Sequence, residues 1–201
     1  LTSDETASVA KLAHSRDVPV HLDGARIFNA AVYLGVPARE LAAEVDSVSF
    51  CISKGLSAPI GSLLCGSQTF VEHARKWRKM VGGGMRQVGI IAAAGIVALE
   101  SMVERLADDH STAQKLAQGL VKVSGIVLDP EKVQTNIVIF DWTGGPAPLF
   151  LERLADRGVK GSYVGGTKIR MVTHAGIGPR EIDHALEVVE TVARETLAVR
   201  P

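Results

Sequence analysis

The sequence predicts an α/β fold in two parts. Short apolar runs near residues 18–23 and 46–52 have the length of buried strands, and segments with helical periodicity separate such runs in the first half of the chain. Strands that alternate with helices are typical of a parallel sheet. A separate group of short strands and helices follows. We therefore predict part of a large, mostly parallel-sheet domain at 1–108, which includes a connecting helix, and a small α+β domain at 109–201.

The first predicted helix covers residues 4–16, and Ser3 can cap it, with Asp4 and Glu5 favourable in its first turn. Glycine and proline separate the later elements, because both residues interrupt regular strands and helices. The further helices are expected near 25–34, 38–44, 68–80, 87–107, 109–123, 147–157 and 179–197. The strands are expected near 18–23, 46–52, 60–65, 126–129, 136–141, 161–164 and 167–173.

The composition disfavours several functional classes. Twenty-two basic and twenty-two acidic residues give a formal net charge of zero, so charge gives no reason to expect nucleic acid or an anionic membrane as a partner. Aromatic residues make up only 4% of the chain, which disfavours base stacking, and no apolar run has the length of a membrane span. Cys51 and Cys65 lie in apolar, strand-like runs and form no CxxC pair, so we expect reduced core thiols and a cytoplasmic protein.

Lys54 is the strongest candidate for a chemical role. It follows the predicted strand at 46–52, and the loop of small residues after it cannot continue that strand. A lysine at the end of a buried strand is expected to be partly desolvated, and desolvation lowers the pKa of an amine. Such an amine can attack a carbonyl carbon and form a Schiff base. The alternative is a solvated loop lysine, which is the usual state of this residue type.

Asp23 is predicted at the end of the strand at 18–23, where Gly24 turns the chain into a helix. Ligands of open α/β sheets bind at the carboxyl ends of the strands. Asp23 could merely cap the next helix. Together with Lys54 it fits pyridoxal 5′-phosphate (PLP), for which a lysine holds the aldehyde and an acid pairs with the pyridinium nitrogen. That pairing keeps the ring protonated, so that the ring can accept the electrons of a carbanion.

A second polar cluster surrounds the triple glycine at 82–84, which Lys79 and Arg86 flank. Glycines let the backbone approach an anion closely. Arg86 is predicted to open the following helix, whose positive end also attracts anions. A flexible loop with solvated charges is the alternative. His21 and Asp23 share a strand face, which suggests a metal, but no third ligand has suitable spacing and we expect no metal site.

Arg170 lies on the predicted strand at 167–173, where alternation places it on one face with Lys168 and Val172. On the residue pattern alone, an arginine among the apolar residues of a late strand can be a charge at the surface edge of the sheet. His174 follows this strand and is as compatible with a structural role as with a catalytic one. The histidines expected to be solvated on helices are His14, His73, His110 and His184.

Four motifs together resemble those of the L-threonine aldolases: HLDGAR at 21–26, SKGLSAPIG at 53–61, KMVGGGMRQ at 79–87 and IRMVTH at 169–174. These aldolases are PLP enzymes of the β-eliminating lyase group and have the aspartate-aminotransferase fold, known as fold type I. The resemblance covers essentially the whole chain, and the four motifs occur in the family's order.

The resemblance also implies roles for the candidate residues. Lys54 and Asp23 would be the catalytic groups, and Arg170 would bind the substrate carboxylate. Arg26 would lie near the cofactor hydroxyl or the same carboxylate. In this fold a partner subunit can supply a phosphate contact, so we expect a homodimer or homotetramer. The residues implied as cofactor contacts are Lys54, Asp23, Arg26, Lys79 and Arg86.

The implied activity is the PLP-dependent cleavage of L-threonine, L-allo-threonine and related β-hydroxy-α-amino acids to glycine and an aldehyde. The alternatives are a β-eliminating lyase or an amino-acid racemase on the same scaffold, or a non-catalytic fragment of such an enzyme. The chain begins with Leu1, whereas members of the family carry a long portion before this point. We therefore expect the C-terminal part of a fold-type I enzyme, with the base for the β-hydroxyl group in the preceding portion.

Overall fold

The computed structural model describes residues 1–198, which divide after Leu106 into two compact units. The first unit contains three strands, β1 (His21–Asp23), β2 (Ser47–Cys51) and β3 (Ser62–Gly66). Its helices are α1 (Ser3–His14), α2 (Ile27–Leu34), α3 (Ala38–Leu41), α4 (Gln68–Met80) and α5 (Gly89–Ser101). The helix expected at 87–107 is therefore shorter than predicted, and a turn separates α5 from the next helix, α6 (Leu106–Leu120).

Helix α1 begins one residue earlier than the sequence indicated. Thr2, and not Ser3, is its N-cap, because Glu5 stands three residues after Thr2 and completes a capping box. The Glu5 amide donates to Thr2 Oγ1 at 3.2 Å, and the Thr2 amide donates to Glu5 Oε2 at 2.7 Å. Ser3 lies within the helix itself.

The first sheet has the strand order β1-β2-β3 and is only partly parallel. Strands β1 and β2 pair in parallel, with Asp23 opposite Ser49, whereas β2 and β3 are antiparallel, with Cys51 opposite Ser62. Strand β3 is the antiparallel member of this sheet, which belongs to a domain that the sequence predicts to be mostly parallel. The reason is the connection at 52–61, which contains no helix, since a parallel pair requires a longer crossover.

The two faces of this sheet have different chemistry. Leu22, Val48 and Phe50 face the side on which α2 packs, and Phe28 of α2 meets Phe50 edge to face with ring centroids 5.3 Å apart. The opposite face carries His21 and Asp23 of β1 and the matching side chains of β2. Alternation along the strands thus puts the apolar side chains in the core and the polar ones on the open face.

Several polar residues lie elsewhere than the sequence indicated. His14 is not merely solvated, because its Nε2 contacts Asp46 Oδ2 at 2.8 Å, and the same oxygen accepts the Val20 amide at 2.6 Å. His110 is buried, and this burial lowers the pKa of its imidazole. The cysteines are free thiols but not core residues, since Cys51 is half-buried and Cys65 is exposed.

The second unit begins at Ala107 and is built around a four-stranded sheet of order β4-β5-β7-β6, in which all neighbouring strands are antiparallel. Its strands are β4 (Ile126–Val127), β5 (Ile137–Trp142), β6 (Ser162–Gly165) and β7 (Lys168–Val172). Its helices are α6, a 3₁₀ turn at Pro130–Lys132, α7 (Ala147–Ala155) and α8 (Pro179–Ala198). Side chains from one face of β5 and β7 and from the helices form its core.

Trp142 and Phe150 form the aromatic centre of this core. Both side chains are almost completely buried, and their rings stack with centroids 4.0 Å apart. Two glycines lie against the indole ring, because a Cβ atom on Gly144 or Gly125 would come within 2.0 Å or 2.8 Å of it. Such contact distances leave no space for a side chain at either position.

Phe150→Ala is expected to lower the free energy of unfolding of this unit by about 3–5 kcal/mol, since the substitution removes a buried ring and leaves a cavity beside Trp142. Urea unfolding followed by tryptophan fluorescence measures the change. Leu149→Ala is the matched control, because the neighbouring Leu149 is 42% exposed and its truncation leaves no cavity. Equal unfolding midpoints for the two variants would contradict the importance assigned to the aromatic stack.

Candidate active site

The carboxyl ends of β1 and β2 lie side by side and begin the candidate site. The Gly24 amide donates to the Ser49 carbonyl at 2.8 Å, which ties the chain after β1 to β2. A Cβ atom at Gly24 would lie 3.1 Å from that carbonyl and from Val48 Cγ2. A side chain at this position would therefore force the neighbouring atoms to move by a few tenths of an ångström. The turn after β1 also fixes the side chain of Asp23. Its Oδ1 accepts a hydrogen bond from the Ala25 amide at 3.1 Å, which holds the carboxylate at the strand end.

Lys54 is held by a loop with its own internal anchors. The Ala58 amide donates to the Ile52 carbonyl at 3.0 Å, and the Ser57 amide donates to the Lys54 carbonyl at 2.9 Å. The side chains of Ile52, Leu56 and Ala58 are buried and pack under the loop. Apolar anchors on both sides of Lys54 therefore fix its backbone at the edge where β1 and β2 end.

The side chain of Lys54 is exposed. The partly desolvated amine that the sequence indicated is therefore not present in the described chain. The reason lies in the loop, where Ile52 and Leu56 point into the core while Ser53 and Lys54 point outward. The exposed position leaves the amine accessible to a carbonyl compound.

The charges of Lys54 and Asp23 both act on the thiol of Cys51. The hydroxyl of Ser62 donates to Cys51 Sγ at 3.2 Å, and this hydrogen bond is the main reason why the pKa of the thiol is lowered. Burial opposes the shift, Lys54 adds to it through a hydrogen bond and its positive charge, and the negative charge of Asp23 opposes it. The structure thus brings an amine, a thiol and a carboxylate together at one strand edge.

Cys51 is a site residue that sequence reasoning missed. The signal was present in the alternation along β2, which places Ser47, Ser49 and Cys51 on one face, next to the face positions of Asp23 and His21. The apolar character of the surrounding run favoured a core thiol instead.

His21 completes the polar face and is fully engaged by serines. Its Nδ1 contacts Ser47 Oγ at 2.9 Å, and its Nε2 contacts Ser49 Oγ at 3.3 Å. Both ring nitrogens therefore have partners, and the described residues contain no group of three or more histidine, cysteine, aspartate or glutamate side chains that could hold a metal ion.

Arg26 stands at the start of α2, three residues after Asp23. Its Nε atom is buried and has no hydrogen-bond partner among residues 1–198. Together with Asp23 and Gly24 it lines a cavity of about 240 Å³. A buried guanidinium nitrogen without a hydrogen-bond partner costs free energy.

The triple glycine forms a second concave surface between α4 and α5. Arg78, the glycines at 82–84, Met85 and Val88 line a space of about 470 Å³. A Cβ atom at Gly84 would lie 2.7 Å from Lys79 Nζ, so the lysine amine rests directly over this glycine. The backbone conformation and the lysine together suit an anion.

The positions of Arg86 and Arg78 differ from those that the sequence predicts for this loop. Arg86 does not open the following helix, because α5 begins three residues later at Gly89, and Arg86 lies in a bend with an exposed side chain. Arg78 lines the concave surface although its position in α4 gave no signal in the sequence. The bend follows from Gln87, whose φ of +49° is incompatible with a helix.

Arg170 belongs to the second unit and lies on the open face of its sheet. It is opposite Ile139 on β5 and Ser162 on β6, and its side chain is exposed. The neighbouring Lys168 is paired, since its Nζ lies 3.0 Å from Asp141 Oδ2. The guanidinium of Arg170 makes no ion pair or hydrogen bond within residues 1–198, so it is available to a ligand.

His174 follows the strand of Arg170 but points to the backbone. Its Nδ1 donates to the carbonyl of Ala175 at 2.8 Å, and its side chain is exposed. This local hydrogen bond fits the structural alternative for His174.

Comparison with known proteins decides the family. The model of the beta-eliminating lyase family matches residues 1–143. The chain belongs to the beta-eliminating lyase family. The match includes both the strand ends that carry Asp23 and Lys54 and the triple-glycine loop, so three of the four motifs lie inside it.

Within this family the chain is similar to threonine aldolases. It is 39% identical over 189 residues to low-specificity L-threonine aldolase 1 of Arabidopsis thaliana, which covers 92% of this chain and 53% of that protein. It is 38% identical over 173 residues to the low specificity L-threonine aldolase of Escherichia coli K12, which covers 86% of this chain and 50% of that protein. The chain thus spans about half the length of these relatives. The resemblance that the motifs indicated is confirmed.

Solved structures confirm the fold class. A putative L-allo-threonine aldolase from Listeria monocytogenes superposes with a TM-score of 0.77 at 21% identity, covering 96% of this chain and 57% of the other. The serine palmitoyltransferase of Sphingomonas wittichii superposes with a TM-score of 0.74 at 20% identity, covering 97% and 52%. The α/β fold of this beta-eliminating lyase family member is therefore shared with enzymes of different names.

Proposed function

We propose that this chain carries the cofactor-binding edge of a PLP-dependent aldolase that cleaves L-threonine, L-allo-threonine and related β-hydroxy-α-amino acids to glycine and an aldehyde. The observation that carries the proposal is the cluster of Lys54, Cys51 and Asp23 at the carboxyl ends of β1 and β2. The family and the activities for which the relatives are named support the same reaction class.

The residues at the strand ends suit PLP. Lys54 offers an accessible amine for the aldehyde carbon, and Asp23 offers a carboxylate oxygen that the Ala25 amide does not occupy. When bound, the cofactor supplies an electron sink for the carbanion left by bond cleavage. Asp23 would hold a proton at the pyridine nitrogen, because a carboxylate favours the charged form of a nearby base.

The phosphate of the cofactor would lie in the triple-glycine loop. The amine of Lys79 over Gly84 and the bare backbone of this loop favour a dianion. Arg86 lies in the same loop and is a further candidate contact. Arg26 would orient the cofactor hydroxyl or the substrate carboxylate, because it lines the same cavity as Asp23. We take the first unit as part of the large domain of the fold and the second unit as its small domain.

The substrate carboxylate is assigned to Arg170. Its exposed, unpaired guanidinium can form two parallel hydrogen bonds with a carboxylate, and this geometry would hold the amino acid while its Cα–Cβ bond breaks. The polar face around His21 and Ser49 would orient the ring by contact.

Arg170→Lys is expected to raise KM for L-threonine more than tenfold, with a smaller effect on kcat. A lysine keeps the charge but loses the paired geometry, and a hydrogen bond to a charged group contributes about 1.5–3 kcal/mol. Steady-state kinetics on the natively purified protein measures both constants. Arg157→Lys is the control, because Arg157 pairs with Glu195 on the surface of the same unit. Unchanged kinetics in Arg170→Lys would reassign Arg170 to a structural role.

The products distinguish the proposed activity from its alternatives. An aldolase forms glycine and acetaldehyde from L-threonine in equal amounts, a β-eliminating lyase forms ammonia and an oxo acid, and a racemase forms the other stereoisomer. The assay uses the natively purified protein with every polypeptide that accompanies it, because the relatives are about twice as long. Binding of PLP without any of these products would support a non-catalytic role.

We also propose a homodimer or homotetramer in the cytoplasm. Phe70 and Trp77 of α4 and Val81, the residue that follows its last turn, lie along one stripe and are exposed, and α4 has no buried residue. A stripe of this kind fits a subunit interface. Analytical ultracentrifugation of the native protein measures the assembly, and a monomer would refute it.

The free thiols of Cys51 and Cys65 suit a reducing compartment. No helix within residues 1–198 is long and apolar enough to cross a bilayer.

A further inference from the structure

The second unit contains a cavity of about 430 Å³ that the proposed reaction does not use. It lies between α6, the connection from α7 to β6, the end of β7 and the start of α8. Its volume falls in the range of pockets that bind small molecules. The apolar side chains that line it are Leu116, Val159, Met171, Ile177, Ile182 and Ala185.

The cavity reaches the core face of β7 at Met171, and this face is opposite the one that carries Arg170. Met171 is buried among the core side chains beneath the helices, whereas Arg170, the preceding residue on β7, is exposed on the open face. A ligand in this cavity would therefore occupy a site separate from the one assigned to the substrate carboxylate.

Positive and donor groups surround the cavity. Lys160, Arg180 and His184 line it and are exposed. Within residues 1–198, no hydrogen bond or ion pair engages the side chain of any of the three. By contrast Lys115, on the neighbouring turn of α6, is occupied by Asp183 and by the carbonyl of Pro179.

Glu181 is the acidic residue in the cavity lining, and its carboxylate already accepts a backbone hydrogen bond. Its Oε2 accepts the Gly178 amide at 2.8 Å, and this hydrogen bond is the main reason why the pKa of Glu181 is lowered, with Arg180 contributing through its charge. The charge of Glu181 therefore acts on Arg180, while the described residues show no interaction between Glu181 and Lys160. The polar oxygen of Thr173 is also occupied, because it donates to the carbonyl of Asp109 at 2.6 Å.

We propose that this cavity is a second ligand site, for a small organic acid with an apolar body. The apolar lining would hold the carbon chain, and Lys160, Arg180 and His184 would hold the carboxylate through charge-assisted hydrogen bonds. A zwitterionic amino acid binds poorly there, since its ammonium group would meet the same positive groups. The inference does not depend on the proposed aldolase activity.

The probe for the test is 4-methylpentanoate, with 4-methylpentanamide and acetate as controls. Isothermal calorimetry on the native protein should show saturable binding of the acid with a negative heat-capacity change, which marks the burial of apolar surface. The amide and acetate should each bind at least tenfold more weakly, because the first lacks the charge and the second lacks the apolar body. L-Threonine should not compete.

Variants assign the binding to the cavity. K160Q combined with R180Q is expected to weaken binding of the acid at least tenfold, and Ala185→Leu, which fills the apolar space, should do the same. Lys122→Gln is the control, since it removes an exposed positive charge from the same unit outside the cavity and should leave binding unchanged. Thermal unfolding of each variant without ligand checks that the unit is folded.

The proposal is overturned by any of three results. Equal binding of the acid and the amide would remove the role of the charges. A loss in Lys122→Gln as large as in the double variant would indicate nonspecific attraction. No saturable binding to the native protein at millimolar acid would mean that the cavity is not a site for this class of ligand.

Discussion

Lys54→Ala is expected to abolish the proposed cleavage of L-threonine, with a loss in kcat/KM of at least ~10³-fold. The amine of Lys54 is the group proposed to hold the cofactor, and no neighbouring residue can replace a covalent partner. Because the side chain is exposed, its truncation should leave thermal unfolding nearly unchanged. Loss of activity with retained stability would therefore be a chemical effect, measured by steady-state kinetics and circular dichroism on the same sample.

The attachment site can also be mapped directly. Borohydride reduction of the protein loaded with PLP, followed by peptide mass spectrometry, should place the added pyridoxyl mass on the peptide that contains Lys54. Lys132→Ala is the control and should leave the label on the Lys54 peptide unchanged. Lys132 is an exposed lysine of the second unit, and its ion pair is with Asp129. A label on Lys79 or Lys168 would show that Lys54 has been assigned wrongly.

Asp23→Asn should retain PLP but lose on the order of 10²–10³-fold in kcat. An asparagine can still accept the Ala25 amide, so the turn after β1 is preserved. It lacks the negative charge that keeps a proton on the pyridine nitrogen, and each unit of lost pKa support corresponds to about 1.4 kcal/mol. Kinetics and cofactor titration separate the two effects, with Asp156→Asn as an exposed control carboxylate. Near-normal turnover would remove Asp23 from the chemistry.

The same substitution has a second expected effect that needs no cofactor. The negative charge of Asp23 raises the pKa of Cys51, so its removal should lower that pKa and increase the thiolate fraction at neutral pH. Alkylation of Cys51 by iodoacetamide should become faster in Asp23→Asn, measured in a Cys65→Ser background because Cys65 is also exposed. An unchanged rate would contradict the proximity of Asp23 and Cys51.

The positions of the elements follow closely from sequence periodicity, and particular residues explain why. Helix α4 was expected at 68–80 and spans Gln68–Met80, while α8 was expected at 179–197 and spans Pro179–Ala198. In both cases a proline or a glycine lies at or near one end of the helix. The helical spacing of the apolar residues indicates the face that carries them. Strand β2 was likewise located by its apolar run, and Lys54 and Asp23 were placed at strand ends by the residues that stop each strand.

The remaining features depend on contacts between distant parts of the chain. The burial of His110 and the pairing of His14 with Asp46 require partners that no local pattern reveals. The antiparallel direction of β3 depends on the course of a loop rather than on the composition of the strand. The exposure of Lys54 depends on the packing of Ile52 and Leu56 on either side of it.

The aromatic centre of the second unit gives the protein a built-in pair of optical reporters. The chain has two tryptophans, and one falls in each unit: Trp77 is 63% exposed, whereas Trp142 is completely buried against Phe150. Indole in water emits at longer wavelength than indole in an apolar core, and it is more open to collisional quenchers. Emission at the red edge of the spectrum therefore reports on the first unit, and emission at the blue edge reports on the second. Unfolding of the two units can thus be followed separately in one unlabelled sample.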